Sequence, residues 1–280
     1  MAITKFQPEI WSPAILVALR DSLVYGGLLN RDYEGNISAA GDTVRIIDFG
    51  APATRSYTKN TDISWDLLSD NDRTLVVDQA DYFAFTVDDI DRRQALPGFV
   101  AQATSDAAHA LAQDVDSYLS ALLVAGASND LGEVSVADAD EVYDEVFLPM
   151  RTALNRANCP KAGRWVVVSP EISAYVLADP RFIDASAAAD SGMALKEGAL
   201  GRIAGFDVME SNTVPYGTTV STDIDVLAGH RMAATFADQI AETEALRLEN
   251  QFGDGIRGLH LYGAKVVRGG CLATARVTLS

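Results

Sequence analysis

The sequence predicts an α+β protein whose strands are divided between extended limbs and a mixed core. Three observations predict it: Gly41 to Val87 reads as a long two-ribbon β arm, Phe99 to about Val124 reads as one long amphipathic helix, and Trp165 opens an α/β step followed by many short strands. A flattened arm has little interior of its own. Its apolar residues therefore need partners elsewhere, on other subunits.

The first element is a short helix after Ser12-Pro13, where serine can cap and proline can take the first helical position. Ile15, Leu16, Leu19, Leu23 and Val24 recur at spacings of three and four and make one sticky face, and Gly26-Gly27 is expected to end the run. Thr43 to Phe49 is rich in β-branched residues and stops at Gly50-Ala51-Pro52, before a polar stretch from Thr54 to Thr61. This predicts a hairpin with an exposed tip. Tyr57-Thr58-Lys59-Asn60 and Ser69-Asp70-Asn71-Asp72 read as turns, and Leu75-Val76-Val77 and Tyr82 to Val87 as returning strands, with Phe83, Phe85 and Val87 on one face.

Asp88, Asp89 and Asp91 stand before the long helix, where negative charge is favoured by the helix dipole. Val100, Ala103, Ala107, Leu111, Val115, Tyr118 and Leu122 then keep helical spacing for about seven turns, or about 39 Å at 1.5 Å per residue. Ser135 to Ala157 carries a second helical pattern, with Val142, Tyr143, Val146, Phe147, Met150 and Leu154 on one face, and Pro149 should kink or divide it. Trp165 to Val168 reads as a buried strand, and Ser169-Pro170-Glu171 turns it into a helix carrying Ile172, Tyr175 and Val176. Beyond Ala204 the expected strands are Phe206 to Met209, Ile224 to Ala228, Ala234 to Phe236, Leu246 to Leu248, Leu259 to Tyr262 and Lys265 to Val267.

Composition narrows the function. The 280 residues are 48% apolar, enough for a real core in one large domain or two ordinary ones. With 39 acidic against 22 basic side chains the net charge is −17, a field that repels phosphate and argues against ordinary nucleic-acid binding. The two cysteines, Cys159 and Cys271, are too few for a disulfide framework and lack zinc-site spacing, so reduced, buried thiols are expected. No window approaches roughly 18 uncharged apolar residues, and the N-terminus lacks the apolar core of a signal peptide, so a soluble chain folding in a cytoplasm is expected, with no membrane partner.

Catalytic patterns are weak. His109, His230 and His260 are scattered, and none lies four residues from another or beside a nucleophile motif. The aspartates before the long helix lack the spacing of a calcium loop. Gly198, Gly201 and Gly205 lack both the P-loop lysine and the dinucleotide spacing, and read as turn glycines. No catalytic residue, cofactor or metal site is expected.

Gly201-Arg202-Ile203-Ala204-Gly205-Phe206-Asp207-Val208-Met209-Glu210-Ser211-Asn212-Thr213-Val214-Pro215 resembles the Gly-x-Ile-x-Gly-Phe-x-Val-x-x-Ser-Asn-x-Val-Pro stretch of tailed-bacteriophage major capsid proteins with the Hong Kong 97 fold. The likeness spans nearly the whole chain and is strongest to coat proteins of phages that infect actinobacteria. It implies an N-terminal arm at residues 1–40 and an extended β-hairpin loop at 41–87. It further implies a peripheral domain with the spine helix at 88–132 and 236–257, and an axial domain at 133–235 and 258–280. Trp11, Leu16 and Leu19 would anchor the arm on neighbours, and Arg55, Tyr57, Lys59 and Trp65 would form the loop's contact surface.

The function so implied is self-assembly through pentamers and hexamers into an icosahedral shell in the host cytoplasm, enclosing double-stranded DNA without reading its sequence. Expected partners are the chain itself, a separate scaffolding protein, a portal and decoration proteins. A scaffolding segment before the arm and the lysine–asparagine pair that crosslinks some shells have no counterpart that can be placed here. Two alternatives remain open on the sequence alone: an encapsulin-like compartment shell, and a soluble hydrolase using acidic residues in a cleft.

Overall fold

The structure is a computed structural model and describes residues 23–32, 43–49, 56–57, 59–60, 62, 70–88, 99–179, 201–216, 223–248 and 253–279. A six-stranded mixed sheet with strand order β4-β11-β8-β5-β7-β6 forms the body. Its strands are β4 (Asn129–Val136), β5 (Arg164–Val168), β6 (Arg202–Ile203), β7 (Phe206–Glu210), β8 (Asp223–His230) and β11 (Leu272–Leu279). A second sheet, in the order β3-β10-β9, joins β3 (Gln79–Asp88), β10 (Gly253–Val266) and β9 (Ala234–Arg247). A two-stranded ribbon pairs β1 (Thr43–Phe49) with β2 (Asp70–Val76). The α+β class is as the sequence predicts.

The helices are a single turn α1 (Tyr25–Leu28), the long α2 (Phe99–Gly126), α3 (Leu148–Arg156) and α4 (Pro170–Ala178). At 28 residues α2 is about 42 Å long. It packs against β3 and β10 of one sheet and β8 and β11 of the other, which joins the two sheets through one rod.

That double role widens its buried face. Leu111 and Val115 are buried as expected, while Ala107, Tyr118 and Leu122 are half-buried; Ala108, Ala112, Asp116, Leu119, Ser120 and Leu123 are buried as well. Val100 and Ala103 lie outside the residues whose side chains are described.

Local chemistry explains the body. Every residue of β5 is buried, and the apolar run Trp165 to Val168 that follows Arg164 suits a strand flanked by β7 and β8. Ser169 caps α4 by accepting the Ile172 N–H, with Pro170 in the first turn. Ala204 and Gly205 have φ of 50° and 90°, the left-handed pair that a two-residue β6–β7 hairpin uses. Ser211 then ends β7: its hydroxyl accepts the Thr213 N–H at 3.2 Å, while its own N–H donates to the Val168 carbonyl. The capsid-like stretch from Gly201 to Pro215 is thus a shape-setting edge of the sheet.

Several expectations are corrected. The ribbon expected to run to Val87 separates, because β3 pairs with β10 and leaves β1–β2 as the hairpin. Ser69 lies outside the described residues, but Asp70, Asn71 and Asp72 are strand and not turn, drawn into register opposite Phe49, Asp48 and Ile47. Asp88 ends β3 opposite Gly253, well before α2; Asp89 and Asp91 lie outside the described residues. Gly26 and Gly27 lie inside α1 rather than ending a helix, since a side chain from α2 holds that turn.

Ser135 and Val136 are the end of β4, not the start of a helix, because they pair alongside Thr278 and Leu279 of β11. The helical pattern begins with a π-helical segment, Val142–Phe147, where the Leu148 N–H reaches the Tyr143 carbonyl, and Pro149 follows in the first turn of α3. Pro149 divides the two segments as expected. The pairs Ala234–Phe236 with Leu246–Leu248, and Leu259–Tyr262 with Lys265–Val267, merge into the 14-residue strands β9 and β10.

Candidate subunit interface

The β3–β10–β9 sheet has two unlike faces. Along β3, residues 81 to 86 alternate half-buried and exposed, placing Phe83 and Phe85 inward and Tyr82, Ala84 and Thr86 outward. Inward, the Phe83 and Phe85 rings stack with centroids 6.3 Å apart. Tyr262 meets Tyr118 of α2 edge-on at 5.5 Å and donates its hydroxyl to Asp81 Oδ2 at 2.7 Å. Burial and the Asp81 carboxylate hold that phenol well above its ordinary range.

Outward, Tyr82 sits opposite Leu259, and Ala84 opposite Arg257, which lies opposite Glu244. Tyr82 is 76% exposed, and Leu246 and Leu259 are exposed as well. An open groove of about 530 Å³ is lined by Tyr82, Ala84, Glu244, Arg257, Gly258 and Leu259. Arg257 Nε donates to Glu244 Oε2 at 2.9 Å across its floor. This is an apolar surface framed by one ion pair.

The β1–β2 hairpin is rooted beside this sheet. Leu75 and Val77 form a small core of their own with Ala237, Leu261 and Val267. The chain crosses β10 at Gly263, where an added Cβ would stand 2.3 Å from the Val76 carbonyl oxygen. Only glycine permits that approach. Toward the other end of the hairpin, Tyr57 is 71% exposed, Lys59 is exposed, and Asn60 turns the chain with φ of 67°.

Residues 23–32 dock on β9 and α2. Asn30 bridges to Thr235 of β9: the Asn30 N–H donates to the Ala234 carbonyl, and the Phe236 N–H to the Asn30 carbonyl. Arg31 lies 5.3 Å over the Phe236 ring and pairs with buried Asp238. Asp116, 3% exposed in the middle of α2, accepts the N–H groups of Val24 at 2.7 Å, Tyr25 at 3.1 Å and Gly26 at 3.4 Å. Burial raises its pKa to about 6 against the pull of those three donors.

Of the interface residues chosen from the sequence, Tyr57 and Lys59 are placed in solvent; Trp11, Leu16, Leu19, Arg55 and Trp65 lie outside the described residues. Sequence reasoning missed the outward face and Asp116. The signals were an aromatic, Tyr82, on the opposite side of β3 from Phe83 and Phe85, and an acid set among the apolar residues of α2.

Little chemistry accompanies this surface. His109 is exposed, His230 Nε2 bonds the Ala162 carbonyl, and His260 is 1% exposed beside Asp238. Among the described residues no group of three or more His, Cys, Asp or Glu side chains is arranged to hold a metal ion, and no helix is long and apolar enough to cross a membrane.

The family model described as phage capsid protein matches residues 70–275. A solved structure of Mycobacterium phage Che8 is 32% identical, with 90% of each chain covered and a TM-score of 0.75. The capsid structure of the cyanophage P-SCSP1u is 15% identical over 92% of this chain and 89% of that one, with a TM-score of 0.72. A virus-like particle from Pyrococcus furiosus shares the fold at 11% identity over 95% and 98%, with a TM-score of 0.58. No curated protein sequence matches the chain.

A long helix joining two sheets, with a hairpin limb and a docked N-terminal segment, defines a structural protein of the Hong Kong 97 fold. The chain belongs to the phage capsid protein family, and its role is that of a tailed-phage major capsid (coat) protein, structural and non-catalytic, with the virion as its place.

Proposed function

We propose that copies of this chain assemble through pentamers and hexamers into an icosahedral shell around double-stranded DNA. The carrying observation is the outward face of the β3–β10–β9 sheet, which leaves Tyr82, Leu246 and Leu259 in solvent next to a hairpin with an exposed Tyr57. A neighbour would cover such a face and remove its apolar area from water.

On this reading residues 1–40 are the arm, 41–87 the extended loop, 88–132 with 236–257 the peripheral domain, and 133–235 with 258–280 the axial domain. Trp11, Leu16 and Leu19 anchor the arm on adjacent subunits, and Arg55, Tyr57, Lys59 and Trp65 make the loop's contacts. The shell assembles in the host cytoplasm with a separate scaffolding protein, a portal and decoration proteins as partners. The net charge of −17 supports a wall that encloses DNA without gripping its phosphates, which would hinder packing and release.

The test is truncation of residues 1–30 in the full chain, followed by negative-stain microscopy of the purified protein. Loss of closed particles, with open or irregular aggregates in their place, is expected; undiminished yields of closed shells would remove the arm from the assembly mechanism.

A further inference from the structure

Of the three histidines only His260 is buried, on the inward face of β10, and neither of its ring nitrogens has a hydrogen-bond partner among the described residues. A buried polar group in that state costs stability, and a functional role is one reason such a group is kept.

Carboxylates flank it on both neighbouring strands. Asp81 of β3 lies opposite His260 in register, and Asp238 of β9 places Oδ2 3.6 Å from His260 Nε2. Asp81 is engaged by the Tyr262 hydroxyl, and the Tyr262 ring stacks on the imidazole with centroids 5.3 Å apart. From α2, Tyr118 meets Tyr262 edge-on, while Asp114 and Asp78 add negative charge to the surroundings of the two phenols. Arg31 closes the set: it arrives on the N-terminal segment, pairs with Asp238 Oδ1 and lies over the Phe236 ring. Arg31 and His260 thus approach one carboxylate at its two oxygens.

We infer that His260 is a proton-operated release for the N-terminal segment, its imidazolium competing with Arg31 for Asp238 so that acid loosens the segment where it meets β9. The inference concerns a single chain and stands apart from the coat-protein reading.

With His260 neutral, Asp238 serves Arg31 alone of the two. A proton on the imidazole sets a second cation on the same carboxylate and a like charge near the guanidinium, so each weakens the other's hold. The coupling is reciprocal: what the proton takes from Arg31 docking, docked Arg31 takes from proton binding. Asp116, at the far end of the segment, acts with the opposite sign. Burial makes its carboxyl keep a proton in the docked state, so acid favours that contact. The two effects can therefore be told apart.

The test follows hydrogen exchange in the unassembled full-length subunit, with each rate divided by the intrinsic rate at the same pH. The reporters are the Asn30 and Phe236 amides, whose bonds tie the segment to β9, and the β5 amides are the reference. From about pH 8 to about pH 5 the protection of both reporters should fall about tenfold while β5 stays protected. In His260→Gln that fall should vanish or reverse, and in Arg31→Gln protection should be low at both ends of the range. The His260 ring resonances should titrate within it, and Arg31→Gln should move their midpoint to higher pH by about one unit, the reciprocal of a tenfold coupling. The inference is overturned if reporter protection does not fall with acid, if His260→Gln keeps the wild-type fall, or if the His260 midpoint is the same with and without Arg31. Should His260→Gln fail to fold, the ring titration in wild type and Arg31→Gln decides alone.

Discussion

The six-stranded body and the three-stranded sheet are built from similar strands yet finish differently. In the body, β5 is buried along its whole length between β7 and β8, and Phe206, Leu227 and Val277 have no exposed surface. In the other sheet one face is covered by α2 and the sheet's own aromatic residues, while on the other the hairpin root covers only the Leu261–Gly263 end and leaves Tyr82, Leu246 and Leu259 facing water. The first region satisfies itself. The second is complete only with a neighbour, so one chain separates folding from assembly between two sheets joined by α2.

Truncation inside the body should give the largest effect. Phe206→Ala empties a fully buried site, and a cost of about 3–5 kcal/mol is expected, read as a lower urea midpoint of unassembled subunits. A loss below about 1 kcal/mol would mean that the body is not the self-contained unit described.

Asp116 sharpens the comparison from the docking side. A carboxyl whose native pKa lies above its unfolded value binds its proton more tightly when folded. Its contribution is therefore nil above a pH of about 6 and favours the native state progressively as pH falls from there toward the ordinary 3.8. The full swing is about 3 kcal/mol. Urea midpoints of wild type and Asp116→Asn should therefore diverge in favour of wild type between neutral pH and pH of about 4. A constant difference would show that the three N–H donors cancel burial, and a divergence against wild type on acidification would show that they dominate this carboxylate.

Gly263 marks where the hairpin leaves the second sheet. Gly263→Ala places a Cβ 2.3 Å from the Val76 carbonyl oxygen, a clash with backbone that no rotamer can relieve. A cost of about 1–3 kcal/mol to the subunit is expected, with a larger loss of closed particles because the hairpin root must move. Particle yield falling only in step with subunit stability would uncouple the hairpin from assembly.

How much of this was legible depended on whether local pattern and tertiary demand agreed. β1 and β5 stand where β-branched runs placed them, and Ser169-Pro170 started α4 as read. Where they disagreed, the pattern misled. β9 and β10 looked like pairs of short strands because Gly255, Gly258 and Gly263 and the acids of β9 break the alternation, yet mutual pairing carries both through. β4 was hidden by Asn129, Asp130 and Gly132, residues that its parallel partner β11 tolerates, and β11 itself was passed over. Asp116 stands out as an acid among the apolar residues of α2, but its partners were illegible, because they are backbone N–H groups some ninety residues earlier, which no window on α2 contains.

The smallest effect on folding should fall on the outward face, and there the comparison can fail outright. Tyr82→Lys and Leu259→Lys replace exposed side chains that face each other across β3 and β10, so subunit stability should change by no more than about 0.5 kcal/mol. Assembly should respond quite differently, because each lysine would bring an ammonium into the surface a neighbour must dry, beside Arg257, whose own charge is already matched by Glu244. Closed particles should be lost in the double variant while the soluble subunit keeps its circular dichroism and urea midpoint. Charge reversal to Tyr82→Glu distinguishes contact from field: loss with either sign means the face is covered on assembly, loss with one sign only means that it senses a charged neighbour, and normal shells with both would return this sheet to the self-sufficient class of the body.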